Sequence, residues 1–184
     1  SVELKKIINH ECGAITEIVA EHFGIKDFVT TISTACSSSA NSIMMAAQMI
    51  EAGMLDIAIA GGADSMSRFT LNGFNTLMIL DRQPCQPFDN NRRGLNLGEG
   101  AGYVLLMSEK ALQQCGAKAI CTVSGYANAN DAYHQTASSP DGIGNKLAMG
   151  NALKKAGLQP SDISYINLHG TGTANHDSSE GKAV

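Results

Sequence analysis

A cysteine stands where a predicted strand turns into a predicted helix, within the run Thr34-Ala35-Cys36-Ser37-Ser38. The first amide groups of a helix have no partner inside the helix, and together with the positive end of the helix dipole they favour thiolate over thiol. Cys36 is therefore a candidate nucleophile for covalent catalysis. The position of Cys36 by itself is equally consistent with a small buried residue that has only a packing role, because free cysteines are commonly buried.

A histidine occupies a comparable place later in the chain. His169 follows a predicted strand directly and precedes the loop Gly170-Thr171-Gly172-Thr173. Open α/β sheets present ligand-binding groups at the carboxyl ends of their strands, and Cys36 also follows a strand. We therefore expect Cys36 and His169 on one rim of a sheet, as a Cys–His site requires. Taken alone, a histidine is more often structural, and we assign surface or capping roles to His10, His22 and His176.

Other motifs point away from several enzyme classes. The run Gly98-Glu99-Gly100-Ala101-Gly102 precedes a strand and lacks the spacing of a dinucleotide loop, so we interpret its glycines as turn and packing residues. A serine hydrolase is not supported, because the sequence has no G-x-S-x-G elbow. Five cysteines, an odd number without a C-x-x-C pair, predict neither a zinc site nor a disulfide framework.

The elements that would position these residues alternate between strand and helix. A helix between two apolar strands predicts a parallel βαβ unit, with the second strand ended by Gly61-Gly62. A similar cycle of strand, helix, strand and loop follows, which indicates two related halves. The predicted strands are 28–33, 55–60, 103–107, 120–126 and 163–168, and the predicted helices are 4–23, 37–52, 71–80, 109–114, 143–156 and one that opens at 177.

Composition limits the partners and the compartment. The chain has 184 residues, of which 43% are hydrophobic, and a formal net charge of −4, which is typical of a soluble globular protein. Without a run of Lys or Arg, nucleic acid is not an expected partner. No apolar stretch reaches the roughly 18 residues of a membrane span, and the N-terminus lacks a signal peptide, so we expect a cytoplasmic protein. Helical patterns at both ends suggest a piece of a longer polypeptide.

Taken together, the motifs resemble those of β-ketoacyl-[acyl carrier protein] synthases, the elongating condensing enzymes with a Cys-His-His site in the thiolase-like superfamily. Order and spacing both agree across nearly the whole chain. The matching runs are 31–38 around Cys36, Ala60-Gly61-Gly62-Ala63-Asp64, Pro87-Phe88-Asp89, 98–102, Asp131-Ala132-Tyr133-His134, 166–173 around His169, and Asp177-Ser178-Ser179-Glu180.

The resemblance implies an α/β, thiolase-like fold of layered mixed sheets with helices. Residues 1–108 would be the end of the first half, which holds the nucleophile, and residues 109–184 would be the start of the second half. It also implies a decarboxylative Claisen condensation, in which Cys36 takes an acyl group from a phosphopantetheine thioester and malonyl-carrier protein then condenses with it. His169 would stabilise the enolate that forms when carbon dioxide leaves.

The resemblance assigns roles to further residues. The Cys36 backbone N–H would form part of the oxyanion hole, and the hydroxyls of Thr171 and Thr173 would hold the pantetheine arm. Phe74, Asp131 and His134 would belong to the acyl channel or its gate, although ordinary packing is an equal alternative for them. Asp177 and Glu180 would pair with a lysine of the active site without touching the substrate. An acidic pair in the first turn of a helix would also be stabilised by the helix dipole.

The same resemblance bears on partners and on alternatives. It implies that an acyl carrier protein is a partner. It also implies a homodimer, or a heterodimer with a synthase-like subunit, with the strand 55–60 near the interface. We expect no metal and no cofactor bound by the protein itself, since the substrates are carried on phosphopantetheine. The second histidine, the lysine and the other oxyanion donor fall outside these residues, so we expect no turnover from this chain alone. A non-catalytic partner subunit that shapes chain length is the alternative, and Cys36 with His169 argues against it. A thiolase would lack the loop with Thr171 and Thr173.

Overall fold

The computed structural model describes residues 10–184. Two compact units are formed: the first holds the described residues through Asp64 with Gly100–Ala119, and the second holds Ser65–Glu99 with Ile120–Val184. None of the described helices is both long and apolar enough to cross a bilayer. The elements are α1 (Ala14–Phe23), α2 (Ser38–Glu51), β1 (Ile57–Asp64), α3 (Arg68–Thr76), β2 (Gly100–Met107), α4 (Glu109–Gln114), α5 (Ile143–Ala156), a 3₁₀ turn (Pro160–Asp162) and α6 (Ala174–Ala183).

The first unit is built around an antiparallel pair of strands. β1 and β2 pair from Ile57 opposite Met107 to Asp64 opposite Gly100. A Cβ at Gly61 would overlap the carbonyl oxygen of Gly102 and lie 2.7 Å from the Cα of Tyr103, so only glycine fits at this crossing. Gly61 therefore allows the close approach of the two strands.

Small residues let α2 pack closely against this sheet. Ala46 and Ala47 of α2 and Ala60 of β1 are buried. A Cβ at Gly62 would lie 2.5 Å from the Ser39 Oγ, which shows how near the helix comes to the strand. The helix that carries the nucleophile candidate at its N-terminal end is thus fixed to β1 along its length.

Helices dominate the second unit, where α5 and α6 contact each other. α5 lies between two left-handed glycines, Gly142 with φ 64° and Gly157 with φ 69°. A Cβ at Gly142 would overlap the carbonyl oxygen of Ser179 in α6, and a Cβ at Gly125 would lie 2.8 Å from that of Ala156 in α5. Glycine is therefore needed where neighbouring segments meet these helices.

The helix predictions are largely confirmed. α5 has the predicted bounds, and α2 and α4 agree closely with the predicted helices 37–52 and 109–114. The predicted helix 4–23 is helical from Ala14, and its residues 4–9 lie outside the described part of the chain. α3 begins earlier than the predicted helix 71–80, because the Ser67 side chain caps it by accepting the Thr70 N–H, and it ends at Thr76, two residues before Met78 with its left-handed φ of 53°. The last helix begins at Ala174 rather than Asp177.

Three predicted strands and the parallel βαβ unit are wrong for the described residues. The runs 28–33, 120–126 and 163–168 form no strand there, and β1 continues through Gly61-Gly62 to pair with the antiparallel β2. An apolar run forms a strand only where a neighbouring segment pairs with its backbone hydrogen-bonding groups. Residues 10–184 supply that neighbour only for β1 and β2, apart from isolated bridges.

Candidate active site

In the first unit, Cys36 lies in a turn that enters α2. Ala35 before it has a left-handed backbone, with φ 53°. The Ser37 Oγ donates to the Thr34 carbonyl at 2.8 Å, and the Ser38 Oγ donates to the Ala35 carbonyl at 2.6 Å. These bonds use side chains to satisfy carbonyls that the turn leaves outside the helix. The serines after Cys36 therefore shape the turn that displays it.

Asn41 ties this turn to the body of α2. It is 8% exposed, and its Nδ2 donates to the Thr34 Oγ1 at 2.8 Å and to the Ser37 Oγ at 3.3 Å. The sequence analysis did not identify Asn41. The available signal was its position four residues, or about one helical turn, after Ser37. A buried amide that bonds back to the turn restricts the position of Cys36.

Among the described residues, the Cys36 side chain is accessible. Cys36 is exposed, and it lines a cavity of about 950 Å³ within the first unit. Apolar side chains such as Val19, Met45 and Ile59 form much of the cavity wall, which Cys12 also lines. The surroundings suit a thiol that must meet a large and partly apolar reactant.

In the second unit, the carboxylate of Glu180 fixes the backbone at His169. Its Oε1 accepts the His169 N–H at 2.7 Å, and its Oε2 accepts the Gly170 N–H at 3.0 Å. Hydrogen bonds to an ionised carboxylate are stronger than those between neutral groups. Glu180, from the last turn of α6, therefore positions His169, whose side chain remains exposed.

Thr171 and Thr173 form one hydroxyl network. Their Oγ1 atoms are 2.8 Å apart, and the Thr173 Oγ1 lies 3.2 Å from Nδ1 of His176. Thr171 also donates to Oδ1 of Asp177 at 3.5 Å. The carbonyl of Thr171 accepts from the Cys85 thiol at 3.3 Å. The loop after His169 thus has a defined shape, held through side chains rather than by a strand.

Asp177 is the buried centre of this network. It is 2% exposed, and it accepts the Phe88 N–H at 2.7 Å and the Gly172 N–H at 3.1 Å. Its Oδ2 lies 3.6 Å from the Nε of Arg92. Asp177 therefore joins the threonine loop to the turn at Phe88, whose left-handed φ of 63° such a bond helps to hold.

Arg92 supports the start of α6. Its guanidinium donates to the carbonyl of Thr173 at 3.4 Å, to that of Ala174 at 3.0 Å and to the Ser178 Oγ at 3.0 Å. The planar guanidinium group holds its N–H donors in fixed directions, so it can bond two carbonyls and a hydroxyl at once. Sequence reasoning missed both Arg92 and Cys85, because their partners lie more than 80 residues away in the chain.

Asp131 and His134 organise a loop of their own. Asp131 accepts the Tyr133 N–H at 3.0 Å and the Ser139 N–H at 2.8 Å, and these two bonds, the Ser139 bond foremost, hold its pKa below the ordinary value. Nδ1 of His134 accepts the N–H groups of Thr136 and Ala137. Within residues 131–139, both side chains close the loop on itself. Their assignment to a gate stays a prediction.

Of the other predicted site residues, Phe74 lies in α3 with 36% of its surface exposed. Its role in an acyl channel stays a prediction, as does the pairing of Asp177 and Glu180 with a lysine. His176 is half-buried in the first turn of α6, and its ring centroid lies 6.5 Å from that of His169. Of the surface or capping role predicted for His176, the surface alternative is wrong, whereas its Nδ1 lies 3.2 Å from the hydroxyl of the N-cap residue Thr173. Its place three residues after that threonine was the available signal.

Comparisons with known proteins show the family of the chain. The profile described as "Beta-ketoacyl synthase, N-terminal domain" matches residues 6–111, and the profile described as "Beta-ketoacyl synthase, C-terminal domain" matches residues 120–184. A 3-oxoacyl-[acyl-carrier-protein] synthase 2 of Staphylococcus aureus is 36% identical over 157 residues, which is 82% of this chain and 39% of that protein. A putative polyketide beta-ketoacyl synthase 1 of Streptomyces cyaneus is 36% identical over 173 residues, with 90% and 41% covered.

Solved structures of ketosynthases have the same fold as this chain. A ketosynthase in complex with its chain length factor from Xenorhabdus doucetiae has a TM-score of 0.86 and 39% identity, covering 94% of this chain and 41% of that one. A type II polyketide synthase acyl-carrier protein in complex with its ketosynthase has a TM-score of 0.92 and 29% identity, with 99% and 47% covered. The predicted thiolase-like α/β fold is confirmed. The chain spans about two fifths of the length of the curated relatives it matches.

Proposed function

This chain belongs to the β-ketoacyl synthase family, and we propose that it supplies the nucleophile and one histidine of a condensing acyltransferase. The complete protein would be a 3-oxoacyl-[acyl-carrier-protein] synthase that makes β-ketoacyl-carrier protein. The observation that carries the proposal is Cys36, which is exposed on a hydrogen-bonded turn at the start of α2 and lines a cavity of about 950 Å³. The predicted division into halves at 1–108 and 109–184 is part of this proposal.

The first step transfers the acyl group to the enzyme. The Cys36 sulfur attacks the carbonyl carbon of an acyl thioester, and the oxyanion that forms accepts the Cys36 backbone N–H. The carbon–sulfur bond to the carrier breaks, and the carrier thiol leaves with the proton that Cys36 gave up. An acyl group on Cys36 could extend along the apolar wall of the cavity.

The second step makes the carbon–carbon bond. Malonyl-carrier protein loses carbon dioxide, and the electron pair of the broken bond forms an enolate, which His169 stabilises by donating an N–H to its oxygen. The enolate carbon attacks the acyl carbonyl on Cys36, the carbon–sulfur bond breaks, and the sulfur leaves as a thiolate that takes a proton from water. Glu180 supports this step, because it holds the His169 and Gly170 backbone on which the imidazole depends.

Substrate arms and partners follow from the same proposal. Thr171 and Thr173 would hold the phosphopantetheine arm, and no cofactor would be bound by the protein itself. The partners would be an acyl carrier protein and a second synthase-like subunit, either a copy or a homologue. Solved relatives are described with such an acyl-carrier protein and with a chain length factor. The place of action would be the cytoplasm.

Mass spectrometry of the complete protein tests the assignment of Cys36. After incubation with acyl-carrier protein, the wild type should gain one acyl group and Cys36→Ala should gain none. Cys12→Ala is the matched control, because Cys12 is also exposed and lines the same cavity. An acyl adduct that survives in Cys36→Ala would refute the nucleophile, and a wild type that takes no acyl group would favour a non-catalytic partner subunit.

Substitution of His169 separates the two steps. His169→Ala should still take an acyl group on Cys36, because the first step does not use the imidazole. Release of carbon dioxide from malonyl-carrier protein and formation of the β-ketoacyl product should fall by about 100-fold or more, the usual cost of removing one oxyanion donor. A variant that loses acylation and decarboxylation to the same degree would contradict the division of roles.

A further inference from the structure

One ring nitrogen closes the loop tip, residues 133–137 of the loop 131–139. Nδ1 of His134 accepts the Thr136 N–H at 3.2 Å and the Ala137 N–H at 3.3 Å. A neutral imidazole accepts hydrogen bonds only at the nitrogen that carries no hydrogen, so these bonds require the tautomer with its hydrogen on Nε2. Asparagine and aspartate close turns in the same way, but histidine is the side chain whose charge ordinarily changes between pH 5 and pH 8.

Protonation reverses the role of this nitrogen. A protonated imidazole carries a hydrogen on both ring nitrogens and has no acceptor. The N–H groups of Thr136 and Ala137 would then face an N–H donor, and both bonds would be lost. The Thr136 hydroxyl lies 3.5 Å from Nδ1 and can accept from the protonated ring. His134 therefore has a bonded partner in both charge states, but only the neutral ring holds the backbone.

The base of the loop is held by other groups. Asp131 accepts the Tyr133 N–H at 3.0 Å and the Ser139 N–H at 2.8 Å, and these bonds, that of Ser139 foremost, hold its pKa below the ordinary value. Ser139 is buried, and its carbonyl accepts the Ser179 hydroxyl at 2.7 Å. Asp131 stays ionised in the pH range in which histidine changes charge, so the base and the tip depend on different groups.

Charged side chains on and around the loop do not compete for the ring. Among the described residues, all hydrogen bonds of the His134 ring lie within the loop tip. Lys182 of α6 donates to the Pro140 carbonyl and pairs with Asp141. Within that same part of the chain no bond joins this ring to the other titratable groups of the loop, of the first turns of α5 or of α6, which are Asp131, Tyr133, Lys146, His176, Asp177 and Glu180.

We propose that the loop tip is a pH-sensitive element, which neutral His134 closes and which opens when this ring takes up a proton from solvent. The base stays closed, because Asp131 and the buried Ser139 hold it. Opening therefore changes the exposed residues 133–137 and leaves the contact between the loop and α6 in place. The proposal goes beyond the proposed function and does not rest on it, because it concerns only the hydrogen bonds of the loop itself.

Hydrogen exchange of single amides, measured by NMR on the complete protein at about pH 7.5 and about pH 5.5, tests the proposal. Dividing the rate of an unstructured peptide at the same pH by each measured rate removes the chemical pH dependence of exchange. The resulting protection of the Thr136 and Ala137 amides should fall by about five-fold at the lower pH, as loss of one neutral hydrogen bond allows. Protection of the Tyr133 and Ser139 amides should stay constant, because Asp131 remains ionised.

Substitutions of His134 separate its charge from its role as an acceptor. His134→Asn supplies an amide oxygen that can accept the same two N–H groups and does not titrate, so protection of Thr136 and Ala137 should not depend on pH. His134→Phe keeps a ring without an acceptor and should leave both amides unprotected at both pH values. His22→Asn makes the asparagine substitution at an exposed position of α1 and should retain the wild-type change.

The proposal is overturned if the wild-type loop tip keeps its protection at the lower pH, or if His134→Asn loses protection as the wild type does. Equal loss at Ser139 would also overturn it, because the whole loop would then open without a special role for His134. Exchange needs no substrate, so inactivity of the complete protein would count against the proposed function alone.

Discussion

Replacing Asp177 by asparagine exchanges one buried carboxylate oxygen for an NH₂ group without changing the size of the side chain. In the wild type both oxygens accept backbone N–H groups, from Phe88 at 2.7 Å and from Gly172 at 3.1 Å. Asparagine has only one acceptor oxygen, so one of these N–H groups must face an NH₂ donor. With the site 2% exposed, water has little access to replace the lost acceptor.

The expected cost follows from these contacts. A buried N–H left without an acceptor costs about 1–3 kcal/mol, and loss of charge weakens the remaining bond by about 1 kcal/mol. Loss of the ion pair with Arg92 adds less, because the two groups are 3.6 Å apart and Arg92 keeps its bonds to backbone carbonyls. We therefore expect the free energy of unfolding to fall by about 3 kcal/mol.

Urea denaturation of the complete protein measures this change, with Asp141→Asn as the control. Asp141 is also a carboxylate, but its side chain is 80% exposed and it pairs with Lys182 at 3.5 Å. Its substitution should change the free energy of unfolding by less than about 0.5 kcal/mol, as for other exposed pairs. Equal effects of the two substitutions would refute the view that Asp177 holds the threonine loop.

Three further outcomes are expected. Gly61→Ala should lower the free energy of unfolding by about 3 kcal/mol, because its Cβ would overlap the facing strand. Gly102→Ala should change the free energy of unfolding little, because a Cβ there meets nothing within 4 Å. Calorimetry would compare the two variants. The pKa of Asp131 is lowered in the folded state, so the stability difference between wild type and Asp131→Asn in urea should be full above about pH 5 and shrink as the pH falls below about 4. Arg93→Gln should raise the pKa of Asp81 from about 2 towards its ordinary value, which carboxyl ¹³C shifts would follow, and an unchanged midpoint would contradict the assigned cause.

The helices, the family and the candidate site residues could be predicted from the order of residues alone. Local rules predicted the helices, because capping serines and left-handed glycines act within a few residues, as at Ser108 and Gly157. The family resemblance rested on short motifs such as those around Cys36 and His169, whose order and spacing are properties of the chain itself. Both the family and the candidate nucleophile could therefore be identified before any coordinates.

Only the tertiary structure decided which groups meet. The predicted strands 28–33 and 163–168 needed partners that the described residues do not supply, whereas β1 found an antiparallel one in β2. Arg92 reaches α6 across more than 80 residues, and no local pattern reports such a contact. For His176 the sequence left a surface role and a capping role open, because its contact with Thr173 depends on how a loop turns into a helix. Sequence fixes which chemical groups are available, but hydrogen bonds form over about 3 Å, and only folding brings distant residues that close.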